Sequence, residues 1–261
     1  MSLTRFIKER FFDGTALQRY VHNRRIKRAT EAWTEADQAM LQFYSQFLSS
    51  NDVCFDIGAN VGNRTKVFVR LCKLVIAAEP QSRCATQLKM VFANNPKVHV
   101  IQAAVGSAVG TAQMAISSAN TVSSLSKEWV DAVQSSGRFG EGVKWDGTES
   151  VAITTLDKLI ERFGVPAFIK VDVEGYEAEV LSGLSRAVKA LSFEFTPERL
   201  DQAFVVLDRL GKLGNIQANY SLGEEMALIL PQWVSPDLLR QELAKFQGDF
   251  HSFGDVYVRF V

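Results

Sequence analysis

Asp56-Ile-Gly-Ala-Asn-Val-Gly62 sets one carboxylate beside a tight glycine turn that follows an apolar run and opens a helical pattern. Such a turn lets a ligand approach the backbone closely. It also aims backbone N–H groups and a positive helix end at that ligand. The spacing is G-x-x-x-G, not the G-x-G-x-x-G of nicotinamide and flavin sites. An acid just before the first glycine suits a ligand carrying an ammonium or sulfonium group better than a pyrophosphate.

Glu79-Pro80 lies 23 residues beyond Asp56. An acid at the end of a second strand, at about that distance from the glycine turn, can accept the hydroxyls of a ribose. Pro80 stops the strand. In Phe168-Ile-Lys-Val-Asp-Val-Glu-Gly-Tyr-Glu177, the polar residues Lys170, Asp172 and Glu174 alternate with Ile169, Val171 and Val173. That period of two predicts all three on one side of a strand, with the lysine holding the two acids as paired charges. Polar groups at the end of a buried strand are costly unless they pair with one another or meet a ligand.

The segments Asp56–Gly62 and Ile169–Glu177 together resemble the FkbM-type methyltransferases, and the resemblance extends over roughly residues 50–260. It implies use of S-adenosylmethionine on a class I methyltransferase fold. That fold is an α/β, Rossmann-like, seven-stranded sheet, mainly parallel with an antiparallel last strand and helices on both faces. The resemblance further implies that Asp56, Gly58, Ala59, Asn60 and Gly62 surround the methionine part of the cofactor. Glu79, with Pro80 beside it, would take the ribose hydroxyls, and Ala104 and Val105 would lie against adenine. Many relatives of this fold carry an acid for the adenine amine where Ala104 stands, so here that contact falls to the backbone or a neighbour. Asp172 and Glu174 match the family motif, which leaves open whether they catalyse or orient.

On the acceptor side, Ser123 and Ser124 lie in the polar segment Asn120–Leu125, and Lys170 and Glu194 lie at strand ends. These four are the expected substrate residues. A hydroxyl acceptor benefits from a base that takes its proton. Asp172, Glu174 and His251 are the candidates. The expected reaction is O-methylation of a small molecule or sugar, an acceptor class that the resemblance implies. N-methylation, RNA methylation and a cofactor-binding scaffold without turnover are the alternatives. No metal centre is expected. A magnesium ion held by Asp172, Glu174 and Glu194 is the less favoured variant, since hard oxygen ligands of this kind suit it.

These residues need a frame. Apolar runs and helical patterns alternate from Asp52 onward, which predicts a mainly parallel sheet with helices on both faces. Strands are expected at Val53–Ile57, Leu74–Ala78, Val98–Gln102, Phe168–Val173 and Ala190–Phe195. Ligands in such sheets sit beyond the C-terminal strand ends, which gathers Asp56, Glu79, Gln102, Asp172 and Glu194 on one rim. Ser117–Thr148 reads as a long insertion with one helix near Trp129. Gln217–Leu222 and Met226–Leu230 read as a hairpin around Gly223, and Asp255–Val261 as the last strand. Thr34–Leu48 reads as a capped helix.

The expected division is a basic arm plus helix over 1–50 and a catalytic domain over 51–261. Residues 1–30 hold eight Lys/Arg and two acids, a net of +6, which leaves −6 on the rest of a chain of 261 residues. An acidic body is not a nucleic-acid surface on charge grounds. Three cysteines without metal-type spacing and no apolar run long enough to span a bilayer set the expectation of a cytoplasmic protein.

Overall fold

The computed structural model describes residues 32–140 and 142–261, so the basic arm over residues 1–30 lies outside the described residues. The first helix, α1 (Glu35–Tyr44), starts at a reciprocal cap. Thr34 Oγ1 accepts from the Asp37 N–H, and the Asp37 carboxylate accepts from the Thr34 N–H. Two of the N–H groups that a helix start leaves unpaired are thereby satisfied.

Strand and helix then alternate: β1 (Val53–Ile57), α2 (Thr65–Leu71), β2 (Leu74–Ala78), α3 (Ser82–Val91), β3 (Val98–Ile101). The short β4 (Ala104–Val105) and the longer β5 (Gly110–Ser117) precede α4 (Lys127–Ser136) and β6 (Trp145–Thr154). After α5 (Leu156–Phe163) come β7 (Phe168–Val171), α6 (Glu177–Ser182), β8 (Ala190–Phe195) and α7 (Leu200–Gly211). The chain ends with β9 (Ile216–Leu222), α8 (Pro236–Ala244) and β10 (Gly254–Phe260).

The main sheet has seven strands in the order β3-β2-β1-β7-β8-β10-β9, and β10 runs antiparallel to both of its neighbours. This is the class I methyltransferase arrangement. Alternate side chains of each strand enter opposite layers. Phe55, Ile57, Ile169, Val171, Leu191 and Phe193 pack with residues of α5, α6, α7 and α8. Cys54, Val75, Phe168 and Tyr257 pack with Phe43 and Tyr44 of α1 and Phe68 of α2. The strand order reverses between β1 and β7, and both strands end at the same rim.

Two expectations are corrected. The segment 226–230 is not a strand: β9 pairs along its whole length with β10, and the returning chain touches its other edge only at isolated bonds, Ile229 N to Tyr220 O and the Ala218–Val234 bridge. Pro231 lacks the N–H a ladder needs. The Asn219 side chain takes the loop instead, donating to Leu230 O and Gln232 O and accepting from Leu230 N. The region 117–148 is also less irregular than its Ser, Gly and Asn content predicts. Residues 145–148 extend β6, which pairs antiparallel with β5 in a second sheet of order β4-β6-β5. Trp129, Phe139 and Trp145 supply that subdomain with its own core, their ring centroids 6.1–6.4 Å apart.

Candidate active site

The glycine turn is pinned over the end of β2. The Gly58 and Ala59 N–H groups both donate to Ala78 O, at 2.9 and 3.0 Å. Gly58 has φ +84°, and a Cβ there would sit 1.7 Å from Asp172 O. The turn thus touches the end of β7 as closely as a backbone can. Glu79 completes it from β2. One carboxylate oxygen accepts from Asn60 N and the other from Gln81 N, each at 2.8 Å. The Gln81 side chain adds a further hydrogen bond to this carboxylate. Asp56 is buried at the end of β1 and accepts from the Thr65 hydroxyl at 2.5 Å. Thr65 is the first residue of α2, so the helix start orients this carboxylate.

Burial raises both acids, Asp56 to about 6 and Glu79 to about 7, against the pull of the hydrogen bonds they accept. A carboxyl whose folded pKa is raised stabilises the fold while protonated. That contribution is lost as pH climbs from the unfolded value through the folded one. Glu79→Gln is therefore expected to flatten the loss of ligand-free stability between pH 4.5 and pH 7 by about 3 kcal/mol. Urea midpoints at pH 5 and pH 7.5 for both proteins check this, and an unchanged difference between the two pH values would refute it.

β7 stops at Val171, and Asp172 N donates to Ile57 O at 2.9 Å. Glu174 and Gly175 then take left-handed conformations, φ +55° and +86°. The period of two thus carries Lys170 and Asp172 to one side, whereas Glu174 is placed by the turn. Lys170 does not hold the two acids of the motif together. It is buried, and its ammonium pairs with Asp172 at 3.2 Å and with Asp255 of β10 at 2.8 Å. Burial opposes that charge, yet the two carboxylates hold the ammonium well above its ordinary pKa. Glu177 closes the turn by accepting from Val173 N and Gly175 N, and burial lifts its carboxyl to about 7.

Asp172, Glu174 and Glu194 each turn a carboxylate oxygen to within 4.8 Å of the others. Burial, then the neighbouring acids, push Glu174 and Glu194 well above the usual carboxylate range. Such a cluster relieves its repulsion by keeping a proton or by facing a cation.

These strand ends and turns enclose one cavity of about 550 Å³ at the C-terminal rim of the sheet. Asp56, Gly58, Ala59, Asn60, Glu79 and Pro80 border one part of it, with Ala104 and Val105 beside Met114. Asp172, Glu174, Glu194, Ser123 and His251 border it too, with Trp129, Arg138, Phe139, Phe250 and Phe253. Three of the sequence candidates stand behind the wall. A Cβ on Gly62 would meet Phe92 and Leu88 at 2.7 and 2.9 Å, so this glycine serves the packing of α3. The Ser124 hydroxyl donates to Glu174 O at 2.6 Å and fixes the left-handed turn. Lys170 reaches the cavity only through Asp172.

Sequence reasoning missed Thr65, Asp255, Arg138 and Glu177. Glu177 lay within the central motif and showed a signal. Arg138, in a glycine-bearing loop, showed none.

The model of the family described as Methyltransferase FkbM domain matches residues 56–233. No curated protein matches the chain. Among solved structures, a methyltransferase FkbM from Methylobacillus flagellatus is 15% identical with a TM-score of 0.43, covering 91% of this chain and 59% of its own. A precorrin-6y C5,15-methyltransferase from Geobacter metallireducens is 10% identical with a TM-score of 0.45, covering 86% and 87%. An rRNA methylase from Streptococcus thermophilus is 12% identical with a TM-score of 0.41, covering 85% and 94%. Likenesses this distant carry neither activity nor substrate from one protein to another. No helix among the described residues is long and apolar enough to cross a membrane.

Proposed function

Because the chain belongs to the FkbM methyltransferase family, and so is an S-adenosylmethionine-dependent methyltransferase, we propose that it methylates a hydroxyl of a small molecule or sugar. The observation that carries this reading is the meeting, in one cavity, of the glycine turn with Asp56 and Glu79 on one side and Asp172, Glu174 and Glu194 on the other.

The residues present fit the cofactor. The cradle over Gly58 tolerates no side chain, and Glu79 presents its carboxylate to the cavity where a ribose hydroxyl can reach it. Asp56 and the turn suit the cationic methionine end, and Ala104 and Val105 offer an apolar face to adenine. When bound, S-adenosylmethionine supplies an electrophilic methyl carbon. The chain's own part is to hold the acceptor in line with that carbon in a sheltered site, which can supply several kcal/mol of the barrier. It also takes the hydroxyl proton. Asp172 is the preferred base, because Lys170 fixes one edge of its carboxylate while the residue borders the cavity. Glu174 and His251 are the alternatives.

Calorimetric titration with S-adenosylmethionine, alongside NAD, is expected to give micromolar binding of the methyl donor alone. Asp56→Ala should weaken it by about 10- to 100-fold, the worth of one charged hydrogen-bonding group. Binding of NAD instead, or an unaffected variant, would overturn the assignment. Release of S-adenosylhomocysteine with candidate alcohols then identifies the acceptor. The reaction should proceed unchanged in a chelator. Loss of turnover restored by magnesium would instead give the three clustered carboxylates to a metal ion.

A further inference from the structure

Two cationic side chains, Arg64 and Arg138, line the cavity among the described residues, and each is held by a glutamate. The strand order divides the cavity. The ends of β1, β2 and β3 serve the cofactor, which leaves the ends of β7, β8 and β10 to the acceptor. Arg138 belongs to the acceptor half. It follows Gly137, whose left-handed conformation ends α4 and swings the chain across the end of β8.

Glu198, on the turn Pro197–Arg199 just after β8, meets Arg138 there. Its carboxylate accepts from Arg138 Nε at 2.9 Å and from Nη2 at 2.6 Å. The Ser136 hydroxyl adds a third hydrogen bond to it at 2.8 Å. Both charged side chains are buried, at 8% and 2% exposure. Arg138 Nη2 also donates to Ser252 O at 2.9 Å, in the segment that carries Phe250, His251 and Phe253. Held so, Arg138 has its charge compensated and its Nε–Nη2 edge occupied, which denies a phosphate or another carboxylate its two-pronged contact there. The acceptor half also carries the acid cluster Asp172, Glu174 and Glu194, which disfavours an anion, and His251.

We propose that Glu198 is a positioning residue that determines specificity: by holding Arg138 it closes the acceptor half of the cavity to anionic ligands. The inference rests on the reading that methyl transfer takes place in this cavity. Glu198 itself stands behind the wall and acts through Arg138. Glu198→Gln removes the charge and keeps the shape. The bond to Ser252 O then still holds the guanidinium beside the cavity, now uncompensated and able to take an anion.

The test is a calorimetric titration of inorganic phosphate into protein saturated with S-adenosylhomocysteine, which covers the glycine turn. Wild type is expected to show no saturable binding. Glu198→Gln should gain affinity by at least about tenfold, the scale of one charge-assisted bidentate contact. Arg138→Met combined with Glu198→Gln should abolish the gain, and Glu198→Asp should restore the wild-type behaviour. A folded Glu198→Gln that gains nothing overturns the proposal. So does wild-type phosphate binding that the double variant loses, an arm that decides the matter even where the single variant does not fold. Failure of wild type to bind S-adenosylmethionine would overturn the proposed function together with this inference. Intact methyl-donor binding without the gain removes the role of Glu198 alone.

Discussion

Replacing Gly58 by alanine is expected to destabilise the protein by at least about 3 kcal/mol and to abolish binding of the methyl donor. Two effects combine at this position. The backbone is left-handed, with φ +84°, which a Cβ disfavours by roughly 1–2 kcal/mol. The Cβ would also sit 1.7 Å from Asp172 O, and the obstacle is backbone, not the end of a flexible side chain. The turn must lift away from β7. Lifting it breaks the bonds from Gly58 and Ala59 to Ala78 O and separates Asp56 from Asp172, so stability and binding fall together. Gly140→Ala is the control, with φ +66° and nothing within 4 Å of its Cβ. It should cost only about 1 kcal/mol and leave binding alone. Urea denaturation and calorimetry on both variants check this. A Gly58→Ala protein as stable as Gly140→Ala would show that the contact with β7 is not what fixes the turn.

Much of this site was legible because its parts are local in sequence. Strand, glycine turn and helix start follow one another from Val53 to Leu71, and the acid that folds the turn ends the very next strand. Family resemblance joined this segment to the 169–177 motif, and the sheet does bring their strands side by side. What stayed hidden depends on register between distant segments. Asp56, Lys170, Ser192, Tyr257 and Asn219 are successive register partners across β1, β7, β8, β10 and β9. They form a buried polar row across the sheet. Nothing within any one strand shows that row: in β1 and β7 the polar residue stands alone in an apolar run, and in β8, β10 and β9 it is one of several polar positions whose partners only the register reveals. Asp255 is hidden for the same reason, since only the register sets it beside Glu194 and Ser221. Its partner Lys170 lies 85 residues away, and an alternation of two placed Lys170 beside Glu174 instead. The hairpin expectation has a local cause: Met226–Leu230 carries a strand-like composition, and the chain does return beside β9, but Asn219 braces it with side-chain bonds to Leu230 and Gln232 where a ladder would need backbone pairs.

Lys170→Met should cost about 3–5 kcal/mol, the usual consequence of removing one partner from a buried ion pair. The ammonium is 1% exposed, with Asp255 at 2.8 Å and Asp172 at 3.2 Å. Its loss leaves Asp255, whose side chain is 9% exposed, without its ion-pair partner, with the Tyr257 hydroxyl 3.4 Å away and the more distant Arg64 as the remaining positive charge. Asp56, its register partner on β1, loses one of the two positive charges that, with the Thr65 hydrogen bond, offset its own burial; Arg64 remains. Asp172 is less affected, because its side chain is 37% exposed and water can take the place of the lysine. That asymmetry makes a second variant informative. Lys170→Met combined with Asp255→Asn removes the stranded charge and should recover most of the lost stability, since a neutral replacement of a buried pair is often close to neutral overall. Urea denaturation of both variants supplies the comparison. Recovery would mean that Asp255 is the partner that keeps Lys170 charged in the core, with Asp172 the working end of the chain of contacts. A double variant as unstable as the single one would place the cost at Asp56 and Asp172, and the lysine would then belong to the cavity wall itself.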